Sequence, residues 1–268
     1  MPAKKGVKKT KPKTKSVKKV EKKAKVTQKA GRKPTNFSRG MNAVMKTGVT
    51  EIVCIVDRSG SMDSIKMDAI GGFNNFLADQ KKEKGKAIMT IALFDNEYIL
   101  MCSGKPIEEV EPFNEKTYVP RGSTALLDAV GRTINETNQR NPEKAIIVVL
   151  TDGHENSSHE FTKQAIKKMI ADCETKGWVV IYLSADANAF EDGRTVGVGV
   201  NNIMSFSADQ RGANVGTMAA SYATSAYRSG GVQCMSGMAQ YSMQASKQYD
   251  AMHGQQSYSS TGKKKNFF

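Results

Sequence analysis

Apolar positions along the chain fall into two alternating patterns. Short, nearly unbroken apolar runs read as strands buried on both faces: Glu51 to Val56, Ala87 to Phe94, Lys144 to Leu150 and Trp178 to Leu183, with a weaker run from Asn202 to Phe206. Between them, apolar residues recur every three to four positions. Met62, Ile65, Ala69, Phe73, Phe76 and Leu77 form one such helical series, in which Gly71 and Gly72 let the backbone approach a sheet. Leu126, Leu127, Val130 and Ile134 form a second, with Ser123 as its expected N-cap. Phe161 to Thr175 and Asp209 to Arg228 form two more, the last stopped by Gly230 and Gly231. Glu97 to Ser103 reads as a further strand. The two-residue link Asp95, Asn96 before it predicts a hairpin, and hence one antiparallel neighbour. Strand alternating with helix predicts an α/β fold: a mostly parallel central sheet with one antiparallel edge strand and helices on both faces.

Both ends break the pattern. Residues 1–46 repeat Lys with Ala, Val, Thr and Pro around one aromatic, Phe37, too little apolar surface to offset chain entropy, so a disordered basic arm is expected. Residues 231–268 are rich in Gln, Ser, Gly and Met and are likewise expected to lack structure. That leaves residues 47–230 of the 268 as one compact domain.

Charge sharpens this division. The net charge is +14, but residues 1–46 hold seventeen Lys or Arg against Glu21 alone, whereas residues 47–268 carry 23 basic and 25 acidic residues. A uniformly basic globule that binds nucleic acid over its whole surface is therefore excluded. No apolar run approaches the roughly 18 residues of a membrane helix, and no apolar segment follows the N-terminal lysines as a secretory signal requires. Four widely spaced cysteines, at 54, 102, 173 and 234, form neither a metal knuckle nor a disulfide framework. A cytoplasmic location, or association with a nucleoid, is expected, with no membrane partner.

In a sheet of this kind ligands sit beyond the carboxyl ends of the strands, so the residues just after each strand carry the chemistry. Three such places hold oxygen donors: Asp57, Ser59 and Ser61 after the first strand, Ser123 and Thr124 before the second helix, and Thr151 and Asp152 after the strand ending at Leu150. Alone, the Asp-x-Ser-x-Ser triplet also suits a turn and helix cap. Hydroxyls and carboxylates without His or Cys are the donor set of Mg²⁺, Mn²⁺ or Ca²⁺ and not of Zn²⁺.

These residues resemble the von Willebrand factor A domain and its metal-ion-dependent adhesion site. The family's DxSxS stands as Asp57, Ser59 and Ser61, its separate threonine as Thr124 in PRGSTALLDAV, and its last aspartate as Asp152 in VVLTDGHEN. The likeness covers about residues 48–229 and is strongest to compact, single-domain bacterial and phage members. It implies a Rossmann-like A-domain fold. It also implies that Ser59, Ser61 and Thr124 ligate a metal through hydroxyl oxygens while Asp57 and Asp152 act through coordinated water. Mg²⁺ is expected, or Mn²⁺, with Ca²⁺ less suited. The implied partner is a protein that presents Asp or Glu to the metal, and no enzymatic reaction.

Other candidates fall away on spacing. His154 to His159 has three residues between Glu155 and the second His, so the imidazoles lie about 140° apart on a helix and cannot form an HExxH zinc site. His154 and Glu155 are expected at the rim of the metal socket or in a plain solvated loop. Gly197 to Val200 lacks the GxGxxG dinucleotide fingerprint, and Cys54 and Cys173 fall in strand and helix patterns that suit small buried side chains. Asp128 suits either the first turn of its helix or the orienting of the Thr124 loop. The basic arm is compatible with non-specific contact to DNA or RNA, which would make the chain a nucleic-acid-associated adaptor, and equally with a solubilising tail; Gly31 to Pro34 matches a minor-groove hook only loosely. The chain has no GxxxxGK[ST] loop, so a role beside a ring ATPase would need the motor as a separate protein. Phe267 and Phe268 after three lysines read as a frayed end or a docking peptide.

Overall fold

The computed structural model describes residues 48–186 and 188–253. The basic arm, Phe267 and Phe268 lie outside the described residues. Six strands form one sheet: β1 (Thr50–Asp57), β2 (Ala87–Phe94), β3 (Tyr98–Pro106), β4 (Lys144–Thr151), β5 (Val179–Ser184) and β6 (Ile203–Ser205). Their order is β3-β2-β1-β4-β5-β6, and only β2 and β3 pair antiparallel. The expected antiparallel hairpin is present, but its link is three residues, Asp95 to Glu97, one longer than expected, because Asp95 N–H bonds to Glu97 O at 3.0 Å, and Rossmann-like topology follows.

Residues of β1 alternate between two cores because successive side chains point to opposite faces. Ile52, Cys54 and Val56 pack with Phe73, Phe76 and Leu77 of α1 (Lys66–Lys82) and with Ala219 and Ala223 of α5 (Gln210–Gly230). Val53 and Ile55 face Leu126, Val130 and Ile134 of α2 (Leu126–Arg140), Ile166 and Ile170 of α3 (Lys163–Thr175), and Val196 after α4 (Ala189–Thr195). Every residue of β1 is buried, which explains the unbroken apolar run.

The strand order reverses at β1, whose neighbours are β2 and β4. The ends of β1 and β4 lie side by side there, with Val56 opposite Leu150. This switch point is where an open α/β sheet leaves a crevice for a ligand.

Two expectations are corrected. Ser123 does not cap α2, which starts at Leu126 after Ala125; its first turn is capped from another loop, described below. Residues 231–253, expected to be unstructured, contain a 3-10 turn (Gly231–Cys234) and a helix, α6 (Met238–His253). Met238, Tyr241 and Ala245 are buried in the α1/α5 core and Tyr249 packs against it, a spacing of three, four and four that the Gln- and Ser-rich composition conceals. Tyr241 also accepts a hydrogen bond from the Ser236 N–H at 2.8 Å, and Asp250 pairs with Arg211 of α5. Among the described residues no helix is long and apolar enough to cross a membrane.

Candidate metal centre

Three loops meet at the switch point. The first leaves β1 at Asp57, passes Ser59 and Ser61 in a 3-10 turn (Gly60–Ile65) and enters α1. The second, residues 110–125, brings Thr124, and the third leaves β4 with Asp152 and Gly153. Backbone bonds lock the first two together: Gly60 N–H donates to Gly122 O at 3.1 Å and Arg121 N–H to Arg58 O at 2.7 Å. Gly122 is at φ +68, and a Cβ there would lie 2.0 Å from Asn96 Oδ1, so only glycine fits.

Four of the five expected ligand residues touch or face one another. Ser59 Oγ is 3.2 Å from Ser61 Oγ, and Ser61 Oγ donates to Asp152 Oδ1 at 2.7 Å. A methyl group at Gly153 would lie 3.0 Å from Thr124 Oγ1, 3.5 Å from Ser61 Oγ and 3.7 Å from Ser59 Oγ, so all three hydroxyls ring one point. Asp57 sits beneath. Its Oδ1 accepts from Ser59 N–H at 2.6 Å and its Oδ2 from Thr151 Oγ1 at 2.6 Å, while its carbonyl accepts from the buried Tyr118 hydroxyl at 2.5 Å. Thr151 and Tyr118 hold Asp57 in one orientation; the sequence marks Thr151 only as an oxygen donor at its strand end and does not mark Tyr118.

Electrostatics suit a cation. Burial, with a smaller push from the Asp152 charge, raises the Asp57 carboxyl to about 6 against the hydrogen bonds from Thr151 and Ser59. Asp152 is also held above the usual carboxylate range, first by burial. Among the described residues neither forms an ion pair: the adjacent Arg58 guanidinium is committed to Asp95, at 3.0 Å, which also takes Arg121. Two carboxylates surrounded by hydroxyls and lacking a counter-charge fit a divalent ion of the hard class.

The Thr124 and Asp152 loops are joined by caps that the sequence hides. Thr124 N–H donates to Asn156 Oδ1 at 2.9 Å, and Thr124 O accepts from the N–H groups of Asn156 and Ser157. In the first turn of α2, Leu127 N–H donates to Glu155 Oε2 at 2.9 Å and Asp128 N–H to Ser158 Oγ at 3.1 Å. Asp128 returns the favour by accepting from the N–H groups of His159, Glu160 and Phe161 at 2.8 to 2.9 Å. Glu155, expected at the rim, therefore turns inward as a helix cap. Asp128 fixes the loop after Asp152 and makes no hydrogen bond to Thr124. His154 stays at the surface, 53% exposed in its side chain.

The chain is similar in fold to von Willebrand factor A domains. A von Willebrand factor type A protein from Catenulispora acidiphila is 12% identical with a TM-score of 0.47, covering 67% of this chain and 43% of its own. Manganese-loaded TRAP protein of Plasmodium vivax is 17% identical with a TM-score of 0.40, over 51% of this chain and 57% of its own. Proximal thread matrix protein 1 of the mussel byssus, with a zinc-occupied MIDAS motif, is 18% identical with a TM-score of 0.37, over 51% of this chain and 36% of its own. No family model matches the sequence, and no curated protein does. At such identities the functional reading stands on this chain's own residues.

Proposed function

We propose that the chain is an A-domain binding module that holds a divalent cation, Mg²⁺ or Mn²⁺, with Ser59, Ser61, Thr124, Asp57 and Asp152, and uses it to capture an Asp or Glu side chain of a protein partner without catalysing a reaction. The observation that carries this reading is the ring of three hydroxyls and Asp152 around the side-chain-free Gly153. Asp57 and Asp152 balance the ion's charge, while the neutral hydroxyls leave it electrophilic. When bound, such an ion supplies a coordination position that an incoming carboxylate can take from water. Thr151 and Tyr118 keep Asp57 oriented, and the Asn156 and Glu155 caps hold Thr124 in register with Asp152. Cys54 and Cys173 are buried, and burial pushes both thiols up, Cys173 to about 11, which leaves them poor nucleophiles at neutral pH.

Calorimetry and affinity capture test this together. The full chain should take up one Mg²⁺ at these residues and Asp57→Ala none; partners captured with Mg²⁺ should be lost in EDTA and with Asp57→Ala. Retention of every partner in both conditions would sink the metal bridge. A second reading, in which the basic arm tethers the module to nucleic acid, is favoured by the confinement of the positive charge to residues 1–46.

A further inference from the structure

A second set of ligand atoms converges beside the oxygen ring. His154 follows Asp152 by two residues, Asp186 follows β5 and Asp192 lies on α4; one ligand atom from each lies within 4.8 Å of the others. The imidazole is held between the carboxylates, Nε2 at 2.9 Å from Asp186 Oδ2 and Nδ1 at 2.9 Å from Asp192 Oδ2. Each ring nitrogen thus faces a different carboxylate, and the single positive charge that a protonated imidazole can carry offsets only one of the two aspartates. Among the described residues no Lys or Arg pairs with either aspartate.

An independent feature points to the same place. Tyr182 of β5 is 1% exposed, and its hydroxyl has no hydrogen-bond partner. A buried phenol almost always finds one. Its ring lies 3.2 Å from where a Cβ on Gly193 would stand, beside Asp192. After burial itself, the charges that bear on the hydroxyl are Asp192, Asp57, Asp186 and Glu155, in that order. The orphan donor thus belongs to a buried ring packed against the α4 residue that follows Asp192.

The geometry points to a second divalent-cation site, held by one imidazole nitrogen of His154 and the carboxylates of Asp186 and Asp192, with the Tyr182 hydroxyl as a hydrogen-bond partner behind it. Its mixed nitrogen and oxygen donors select Mn²⁺, Co²⁺ or Zn²⁺ over Mg²⁺, whereas the ring around Gly153 is all oxygen. Two carboxylates make the filled site neutral. His154 is reachable from solvent while both aspartates are mostly covered, which gives the ion an entry path and a fixed seat. The site does not depend on the proposed function of the first one.

Co²⁺ is the probe, added to the full chain in saturating Mg²⁺ so that the all-oxygen site is occupied. One Co²⁺ per chain should bind by equilibrium dialysis, and the ring signals of one of the three histidines should vanish from the proton NMR spectrum through paramagnetic broadening. His154→Gln, an exposed position that tolerates the change, and Asp192→Asn should abolish this uptake. Tyr182→Phe, which removes only the outer partner, should weaken it about tenfold. Asp57→Ala should lose Mg²⁺ at the first site and keep Co²⁺ at the second, so failure of one site is distinguishable from failure of the other. No Co²⁺ uptake above Mg²⁺ in the wild type, or uptake by His154→Gln equal to wild type, overturns the second site.

Discussion

At the residue scale, Gly153 occupies the point that the three hydroxyls surround. An added methyl would force Thr124 Oγ1 back by a few tenths of an ångström and fill space on the inner side of the ring, while leaving the β4 backbone untouched. Gly153→Ala should therefore fold normally, with an unchanged melting temperature, and bind Mg²⁺ about tenfold more weakly by calorimetry; unaltered affinity would mean the ion does not sit among these hydroxyls. Asp128 makes a different argument. Burial alone would raise its carboxyl, but the N–H groups of His159, Phe161 and Glu160 outweigh it and hold the group below its usual range. A carboxyl lowered on folding adds stability above its unfolded value, near 3.9, and loses that contribution as pH falls through the folded value. Asp128→Asn should cost about 2 kcal/mol at neutral pH in urea denaturation, and the gap to wild type should close below about pH 4. A gap independent of pH would show that the charge does not anchor the loop.

At the element scale, α6 separates a loose tail from a structural one. Tyr241 is buried against α5 and holds the Ser236 N–H, so Tyr241→Ala should cost about 3 kcal/mol by urea denaturation, where a loose appendage would give less than about 0.5 kcal/mol. The same helix marks a limit of what the chain's pattern reveals. The strands were legible because β1, β2 and β5 are buried on both faces and leave uninterrupted apolar runs. The antiparallel hairpin after β2 and the loop positions of Asp57, Ser59, Ser61, Thr124 and Asp152 were legible because turn chemistry and strand-end position are local properties. α6 was not, since its buried residues are two Tyr-sized or sulfur-bearing side chains and an alanine among Gln and Ser, a stripe that acquires meaning only when α1 and α5 are there to receive it. The caps on α2 were hidden for a related reason: Glu155, Asn156 and Ser158 lie about 30 residues from the N–H groups they satisfy. Local pattern names caps within a turn of the helix, and here the fold supplies them from the neighbouring strand's loop. α4, seven residues long and rich in charged and small residues, carries too few apolar positions to define a period.

At the scale of the whole molecule, charge is divided unevenly between two parts of the chain. The described residues carry 20 basic and 25 acidic side chains, so the large positive excess belongs to the N-terminal 47 residues, with three more lysines at positions 263–265. A polyanion should therefore meet residues 1–46 and be repelled by the domain, whose proposed metal centre is itself lined with carboxylates. Binding through counterion release has a signature independent of any metal: the logarithm of affinity falls linearly with the logarithm of salt, with a slope near −0.9 per phosphate neutralised. If about six phosphates are met, affinity for a short duplex should drop about a thousandfold between 50 and 200 mM salt. Gel shifts of the full chain and of a chain beginning at Thr47 make the comparison. The full chain should bind with this steep slope, equally in Mg²⁺-free buffer with EDTA and with Asp57→Ala, while the shortened chain should not bind even at low salt. Equal binding by both lengths would move the contact onto the domain, and a loss on chelation would tie it to the metal centre; either result removes the division of labour between arm and domain, because charge placed on the arm acts at long range and without a bound ion, whereas a carboxylate-capturing site acts only at contact and only when loaded.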